Sequence, residues 1–253
     1  MPTSLSDEEL YRYDRQIRIA EIGAAGQAAL KQARVCICGA GGLGSPVAIY
    51  LAAAGVGSIT IVDRDRVTLG NLNRQILHGE PDIGRAKVDS AKTALNRLNS
   101  EVVVNTRPVA ITEENVRALV SSHDVIVDAL DNLETRYILN RAALELGITF
   151  IHGAVNGFEG RIMTVIPGSS TCLRCLYRGP VKPPETIPVI GVAPAVIGAL
   201  QATEAIKAIA GIGDLLTDRL LSYDGLSLKW REFKLHRNPA CDHCRPPSGR
   251  ISP

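Results

Sequence analysis

Short apolar runs recur along the first part of the chain, each closed by a polar residue or a glycine. They are Val35–Cys38, Ser58–Val62, Val102–Thr106, Val125–Asp128 and Ile148–Ile151. Each has the length of a strand, and the nearly unbroken apolar character predicts strands covered on both faces. Segments of helical periodicity lie before and between them, at about 7–32, 84–99, 112–121 and 132–146. Ser6, with Glu9 three residues on, predicts a capping box at the first helix. This alternation predicts an α/β, Rossmann-like doubly wound, mainly parallel sheet. Beyond about residue 152 the rhythm changes. Arg161–Ile166, Leu220–Tyr223 and Leu226–Lys234 read as strands beside turns, separated by a long helix at about 191–210. The sheet is therefore expected to continue into an antiparallel C-terminal part. No internal repeat is visible.

Composition narrows the class. The 253 residues are 45% apolar and 21% charged, which is globular and enough for one or two domains. A net charge of +2 and 4% aromatic residues give no basis for nucleic-acid binding. The N-terminus has no apolar core of a secretion signal. Val35 to Val62 runs 28 residues without a charge, but six glycines and Pro46 break it into strand, loop, helix and strand. Thr186 to Thr203 is also uncharged, yet too short and too interrupted by proline to span a bilayer. A cytoplasmic protein with no membrane segment is expected.

Six cysteines fall into two groups. Cys36 and Cys38 face the same side of the first strand and read as small buried hydrophobes. Cys172 with Cys175 and Cys241 with Cys244 are two C-x-x-C knuckles with 65 residues between them. In a reducing compartment they read as one tetrahedral zinc site that ties distant segments together. Four thiolates leave no open position, so the metal is structural. A redox pair is the competing reading. His243, inside the second knuckle, is expected to face solvent.

Gly39, Gly41 and Gly44 form G-x-G-x-x-G after a strand and before a helix. There the backbone approaches a phosphate chain at the positive end of the helix. Ser45 is a candidate cap, Pro46 suits the first helical position, and Gly55 and Gly57 close the helix. Asp63 stands 24 residues past Gly39 at the end of the second strand, where a carboxylate meets ribose hydroxyls. These features fit NAD and adenosine phosphates equally. The next segment separates them. Asp65, Asn71, Arg74 and Gln75 follow beside the same crevice, then Lys87 on the next helix. A nicotinamide needs an apolar slot, whereas a triphosphate needs cations. Asp131 and Asn132 close the fourth strand, where Asp131 could hold Mg²⁺, with a helix N-cap as its competing role. Arg74 and Lys87 could equally be a solvated face. No P-loop motif is present.

With GAGGLGSP, Asp63 and Asp65, GNLNRQ, Lys87, DALDN and the paired knuckles in this order, nearly the whole chain resembles the ThiF/MoeB/HesA family of adenylyltransferases. The MoeB and ThiF branches are the most similar. The resemblance implies ATP and Mg²⁺ as reactants and adenylylation of the C-terminal glycine carboxylate of a small β-grasp sulfur-carrier protein ending in Gly-Gly, with pyrophosphate released. It assigns Gly39, Gly41, Gly42 and Gly44 to the nucleotide loop and Asp63 to the ribose. Asn71, Arg74 and Lys87 go to the triphosphate, with Gln75 positioning the loop and Asp65 and Asn132 alongside. Asp131 becomes the catalytic magnesium ligand. Arg15, in RYDRQI, would reach the ATP of the opposite subunit of a homodimer; an ion pair with Asp14 is its competing role. Cys172, Cys175, Cys241 and Cys244 would hold structural zinc. The implied organisation is one unit over 1–253, with an ATP-binding part at about 30–151, a carrier-binding and zinc part at about 152–245, and a disordered tail at 246–253.

The chain departs from many members of that family in the loop after the first knuckle, RGPVKPPETIPVIG, which has no cysteine; Thr186 falls about where one would stand. Threonine supplies no thiolate. A covalent carrier intermediate is therefore not expected, and a separate sulfur donor is. Lys182 lies in this loop, which is expected to cross over the carrier tail. The alternatives are an NAD-dependent oxidoreductase, a non-catalytic zinc-stabilised scaffold, and a family member that adenylates a non-protein carboxylate.

Overall fold

The computed structural model describes residues 5–177 and 187–244. Strands β1 (Arg34–Cys38), β2 (Ser58–Val62), β3 (Val103–Arg107), β4 (Val125–Asp128), β5 (Thr149–Asn156), β6 (Glu159–Val165), β7 (Arg219–Asp224) and β8 (Lys229–Lys234) form one sheet. Its order is β3-β2-β1-β4-β5-β6-β7-β8. β3 through β5 are parallel neighbours, and β5 through β8 are antiparallel. After β1 the chain builds outward to β3, then returns to place β4 on the other side of β1. The crevice of a doubly wound sheet opens at this reversal, outside the carboxyl ends of β1 and β4. β5 runs beyond the expected Ile151 because its continuation pairs with β6 from Phe150↔Val165 to Asn156↔Glu159. Backbone pairing, not apolar pattern, sets that end.

The helices are α1 (Asp7–Arg12), α2 (Asp14–Ile17), α3 (Gly23–Gln32), α4 (Gly44–Ala53), α5 (Lys87–Leu98), α6 (Val116–Val120), α7 (Leu133–Leu146), α8 (Leu173–Leu176) and α9 (Val192–Ala210). The capping box is present, with Ser6 and Glu9 each accepting the other's N–H. The continuous helix expected over 7–32 is broken into three. The break at Tyr13 follows from its burial, for its hydroxyl accepts a 2.8 Å bond from Asn99 Nδ2. The start of α4 also differs from expectation. The helix opens at Gly44, so Pro46 is its third residue. Ser45 does not cap, because its hydroxyl donates back to Gly41 O at 2.7 Å.

Strand alternation divides the core in two. Val35 and Ile37 join Ile59, Ile61 and Leu51 beneath α4, α5 and α9. Cys36 and Cys38 face the other way, with Phe150, Leu139 and Met163 under α7. Each large side chain so buried contributes about 1.5–3 kcal/mol. α9 is long and apolar enough to cross a membrane, but Ala193, Ile197, Gln201 and Ala205 are buried in the molecule. Its close approach to α4 needs Gly198, since a Cβ there would lie 2.6 Å from Leu43 O.

Candidate active site at the carboxyl edge of the sheet

The glycine loop joins β1 to α4, and two of its glycines are sterically required. Gly39 has φ +108°, and a Cβ on it would stand 2.5 Å from Ala129 O, so the loop lies directly on the chain leaving β4. A Cβ on Gly44 would stand 1.9 Å from Gly39 O. Gly42 packs toward Pro194 at the start of α9, with Arg74 Cγ on the same side. A Cβ on Gly41 would find only Gln75 Nε2, at 3.7 Å. Among the described residues, the Gly41 and Gly42 N–H groups make no hydrogen bond within the chain. Open backbone donors beside the N-terminus of α4 form a cradle suited to phosphate.

Asp63 holds this loop in place. Its carboxylate accepts from Ala40 N–H at 2.8 Å and from Asp65 N–H at 2.8 Å, leaving lone pairs on both oxygens for a diol. His78 supports the loop from below: Nε2 bonds Ala40 O at 3.0 Å and Nδ1 bonds Ser90 Oγ at 2.9 Å. The carbonyl can only accept, so Nε2 carries the proton and the serine hydroxyl donates. Burial lowers the His78 pKa from its usual range, which favours this neutral form. Nothing in the sequence marked His78, because its partners lie 12 and 38 residues away.

The cations are placed unevenly. Lys87 is held in the crevice wall, its amine 3.0 Å from Asp65 Oδ2 and its side chain 6% exposed. Arg74 lies along the loop, with Nη1 donating to Gly70 O at 2.9 Å and to Asn73 Oδ1 at 3.1 Å. Gln75 is buried, and its Oε1 has no partner among the described residues. Asn71 turns to its own segment, accepting from Thr68 N–H at 3.0 Å. Arg15 is not brought here. It is exposed on α2, and Asp14 pairs with Arg18 at 2.8 Å instead. Gln16 ties α2 to Ala54 O at the far end of α4, roughly 15 Å along that helix from Gly44.

Asp131 occupies the loop after β4. The capping role that competed for it belongs to Asn132, whose Oδ1 accepts from Thr135 N–H at 2.9 Å. Asp131 is left exposed, and among the described residues its carboxylate accepts one hydrogen bond, from Asn132 Nδ2 at 3.4 Å. Such an uncommitted carboxylate beside a phosphate cradle fits a Mg²⁺ ligand. Behind the loop is a buried cluster absent from the sequence reading. Asp128 Oδ2 accepts from His152 Nδ1 at 2.6 Å and faces Arg136 Nε at 3.3 Å. Burial alone would raise the Asp128 pKa, but Arg136 and His152 outweigh it and the carboxyl is held below its usual range. Burial keeps His152 neutral, its pKa lowered despite Asp128.

The four knuckle cysteines converge, with all four sulfurs within 4.8 Å of one another. Cys172–Cys175 is 3.9 Å, Cys172–Cys241 3.7 Å and Cys175–Cys244 3.5 Å. These are too long for disulfides. They match the ~3.8 Å edge of a tetrahedron with ~2.3 Å metal–sulfur bonds. Burial pushes the Cys172 thiol up to about 11. His243 does not face open solvent as expected. Nδ1 is 2.8 Å from Asn140 Nδ2 and the ring packs edge-on to Tyr137, because the second knuckle is seated on α7. Thr186 and Lys182, like the tail at 246–253, lie outside the described residues.

The sequence profile of the ThiF family matches residues 13–243. The chain belongs to the ThiF family. Among its relatives is the sulfur carrier protein adenylyltransferase of Thermus thermophilus, 43% identical over 248 residues, 94% of this chain and 91% of that protein. The SAMP-activating enzyme E1 of Haloferax volcanii is 41% identical over 251 residues, 96% of this chain and 92% of that protein. The adenylyltransferase and sulfurtransferase MOCS3 of Culex quinquefasciatus is 44% identical over 249 residues, 96% of this chain. This ThiF-family chain spans only 57% of that relative's length. In fold it is similar to Escherichia coli MccB, solved with MccA-N7isoASN, at TM-score 0.85 and 23% identity, covering 97% of this chain and 77% of MccB.

Proposed function

We propose that this chain uses ATP to adenylylate the C-terminal glycine carboxylate of a small β-grasp sulfur-carrier protein ending in Gly-Gly. The observation that carries the proposal is the gathering of the glycine loop, Asp63 and exposed Asp131 at one sheet edge, in a chain so similar to a named sulfur carrier protein adenylyltransferase over 91% of its length.

The attacking carboxylate is already a nucleophile, so no general base is required. Its oxygen bonds to the α-phosphorus, the bond to the bridging oxygen breaks, and pyrophosphate leaves with its charge. The protein's task is alignment and charge stabilisation. Gly41 and Gly42 N–H groups receive phosphate oxygens, and Asp63 accepts from the ribose. Arg74 and Lys87 stabilise the leaving charge, Lys87 moving from Asp65 toward the triphosphate. Asp131 would hold Mg²⁺, which supplies further neutralisation of the phosphates. Arg15 acts on the ATP of a partner subunit, a reading supported by its distance from its own glycine loop. The four cysteines hold zinc as a structural ion, and sulfur comes from a separate donor. ATP–pyrophosphate exchange against carriers ending in Gly-Gly tests the proposal. Asp131→Ala is expected to lower carrier-dependent exchange by about 10²-fold or more, with melting and zinc content unchanged. Exchange at the wild-type rate in that variant would overturn it.

A further inference from the structure

Leu130, which immediately precedes Asp131, is held at both of its backbone groups by one buried ion pair. Asp128 Oδ1 accepts from Leu130 N–H at 3.1 Å, and Arg136 Nη2 donates to Leu130 O. The same Nη2 donates to Gly153 O on β5 at 2.9 Å. The two charges face each other with side chains 0% and 10% exposed. His152 Nδ1–H closes the other side of Asp128, and its Nε2 lies 3.4 Å from the Tyr177 hydroxyl. A guanidinium suits this arrangement, since its Nε faces the carboxylate at 3.3 Å as a charge contact rather than a hydrogen bond while Nη2 serves two carbonyls. An ion pair buried this deeply is a weak source of stability compared with apolar packing of equal volume. Its connections run to the loop that presents Asp131.

We propose that Arg136, clamped by Asp128, is a positioning residue that fixes the 129–132 loop and so aims the Asp131 carboxylate into the phosphate cradle. The proposal rests on the adenylylation reading for its kinetic consequence, though not for its structural one. Asn132 already caps α7, so the loop is tied at its helical end by the cap and at its strand end by the clamp. Releasing the clamp frees Leu130 and Asp131 while leaving β4 and α7 in place.

The test compares Arg136→Met with the double variant Asp128→Asn plus Arg136→Met. The single variant leaves an unpaired buried carboxylate and is expected to be unstable. The double variant removes both charges at similar volume, loses only the donor to the Leu130 and Gly153 carbonyls, and is expected to fold and to melt well above the single variant. In the double variant, protein alone, amide hydrogen exchange at Ala129 and Leu130, whose N–H groups bond Cys38 O and Asp128 Oδ1, should rise about tenfold or more, with protection in β4 and α7 retained. Its kcat for carrier-dependent exchange should fall about 10²-fold, with the carrier KM little changed. Unchanged loop protection, or wild-type kcat in the stable double variant, would overturn the proposal. So would protection lost equally across β4 and α7, which marks a purely structural pair. If wild-type protein shows no carrier-dependent exchange, the functional reading fails while loop protection still decides the clamp.

Discussion

His78 and Asp131 illustrate opposite relations between residue and site. Asp131 sits where a strand of a parallel sheet ends, and such positions are visible in the sequence because apolar runs stop there. His78 sits in a polar segment, and only its bond to Ala40 O makes it part of the glycine loop's support. Its pKa is lowered by burial, which fixes a sign. The unfolded chain takes up a proton near pH ~6.5 that the folded chain refuses. The stability from neutral His78 is complete above that pH and is lost as pH falls toward the lower folded value. His123, His152 and His243 shift in the same direction, burial again being the leading cause. Urea unfolding should therefore show stability declining from about pH 7 to pH 5. His78→Gln should flatten part of that decline, and a profile identical to wild type would show that His78 titrates alike in both states.

At the scale of elements, the glycine loop owes its form to two contacts beyond the motif's own spacing. The motif predicts a strand–loop–helix turn. It does not reveal that Gly39 rests on Ala129 or that Gly44 lies against Gly39 O. Gly44→Ala would place a methyl 1.9 Å from that carbonyl, so the first turn of α4 must shift. Overpacking of this kind costs about 1–3 kcal/mol. ATP affinity should fall about tenfold or more by equilibrium binding, with a modest loss in melting temperature. Affinity unchanged by this substitution would mean the phosphates do not sit on this turn. The ends of α4 and α7 were legible to different degrees. Asn132 and its loop were marked by polar residues after a strand. The start of α4 differs from expectation because Ser45 and Pro46 are good capping types, and a local rule cannot see that Ser45 bonds back to Gly41.

For the whole molecule, the placement of Arg15 is decisive. α2 is anchored at Ala54, the end of α4 away from the glycine loop. If Arg15 serves a partner's site, Arg15→Ala and Asp131→Ala should each be nearly inactive alone. Mixed and reassembled in equal amounts, half the dimers carry one variant of each kind, with one intact site in two. Exchange should recover to about a quarter of wild type. No recovery, with mixed dimers demonstrated by tagged capture, would place Arg15 outside the partner's site.

By itself the sequence determined the strand and helix alternation, the change of rhythm near residue 152, the glycine loop, and which cysteines pair as knuckles. These are carried by local periodicity and spacing, which the chain expresses before it folds. The tertiary structure alone decided the strand order, and it brought the two knuckles, 65 residues apart, together as their spacing predicts. It also decided the burial of Lys87 against Asp65, the seating of His243 on α7 and the clamp on Leu130. Each depends on which faces meet across the sheet. A buried polar side chain takes its partners from whatever folding brings within about 3 Å, and neighbours in sequence do not specify those partners.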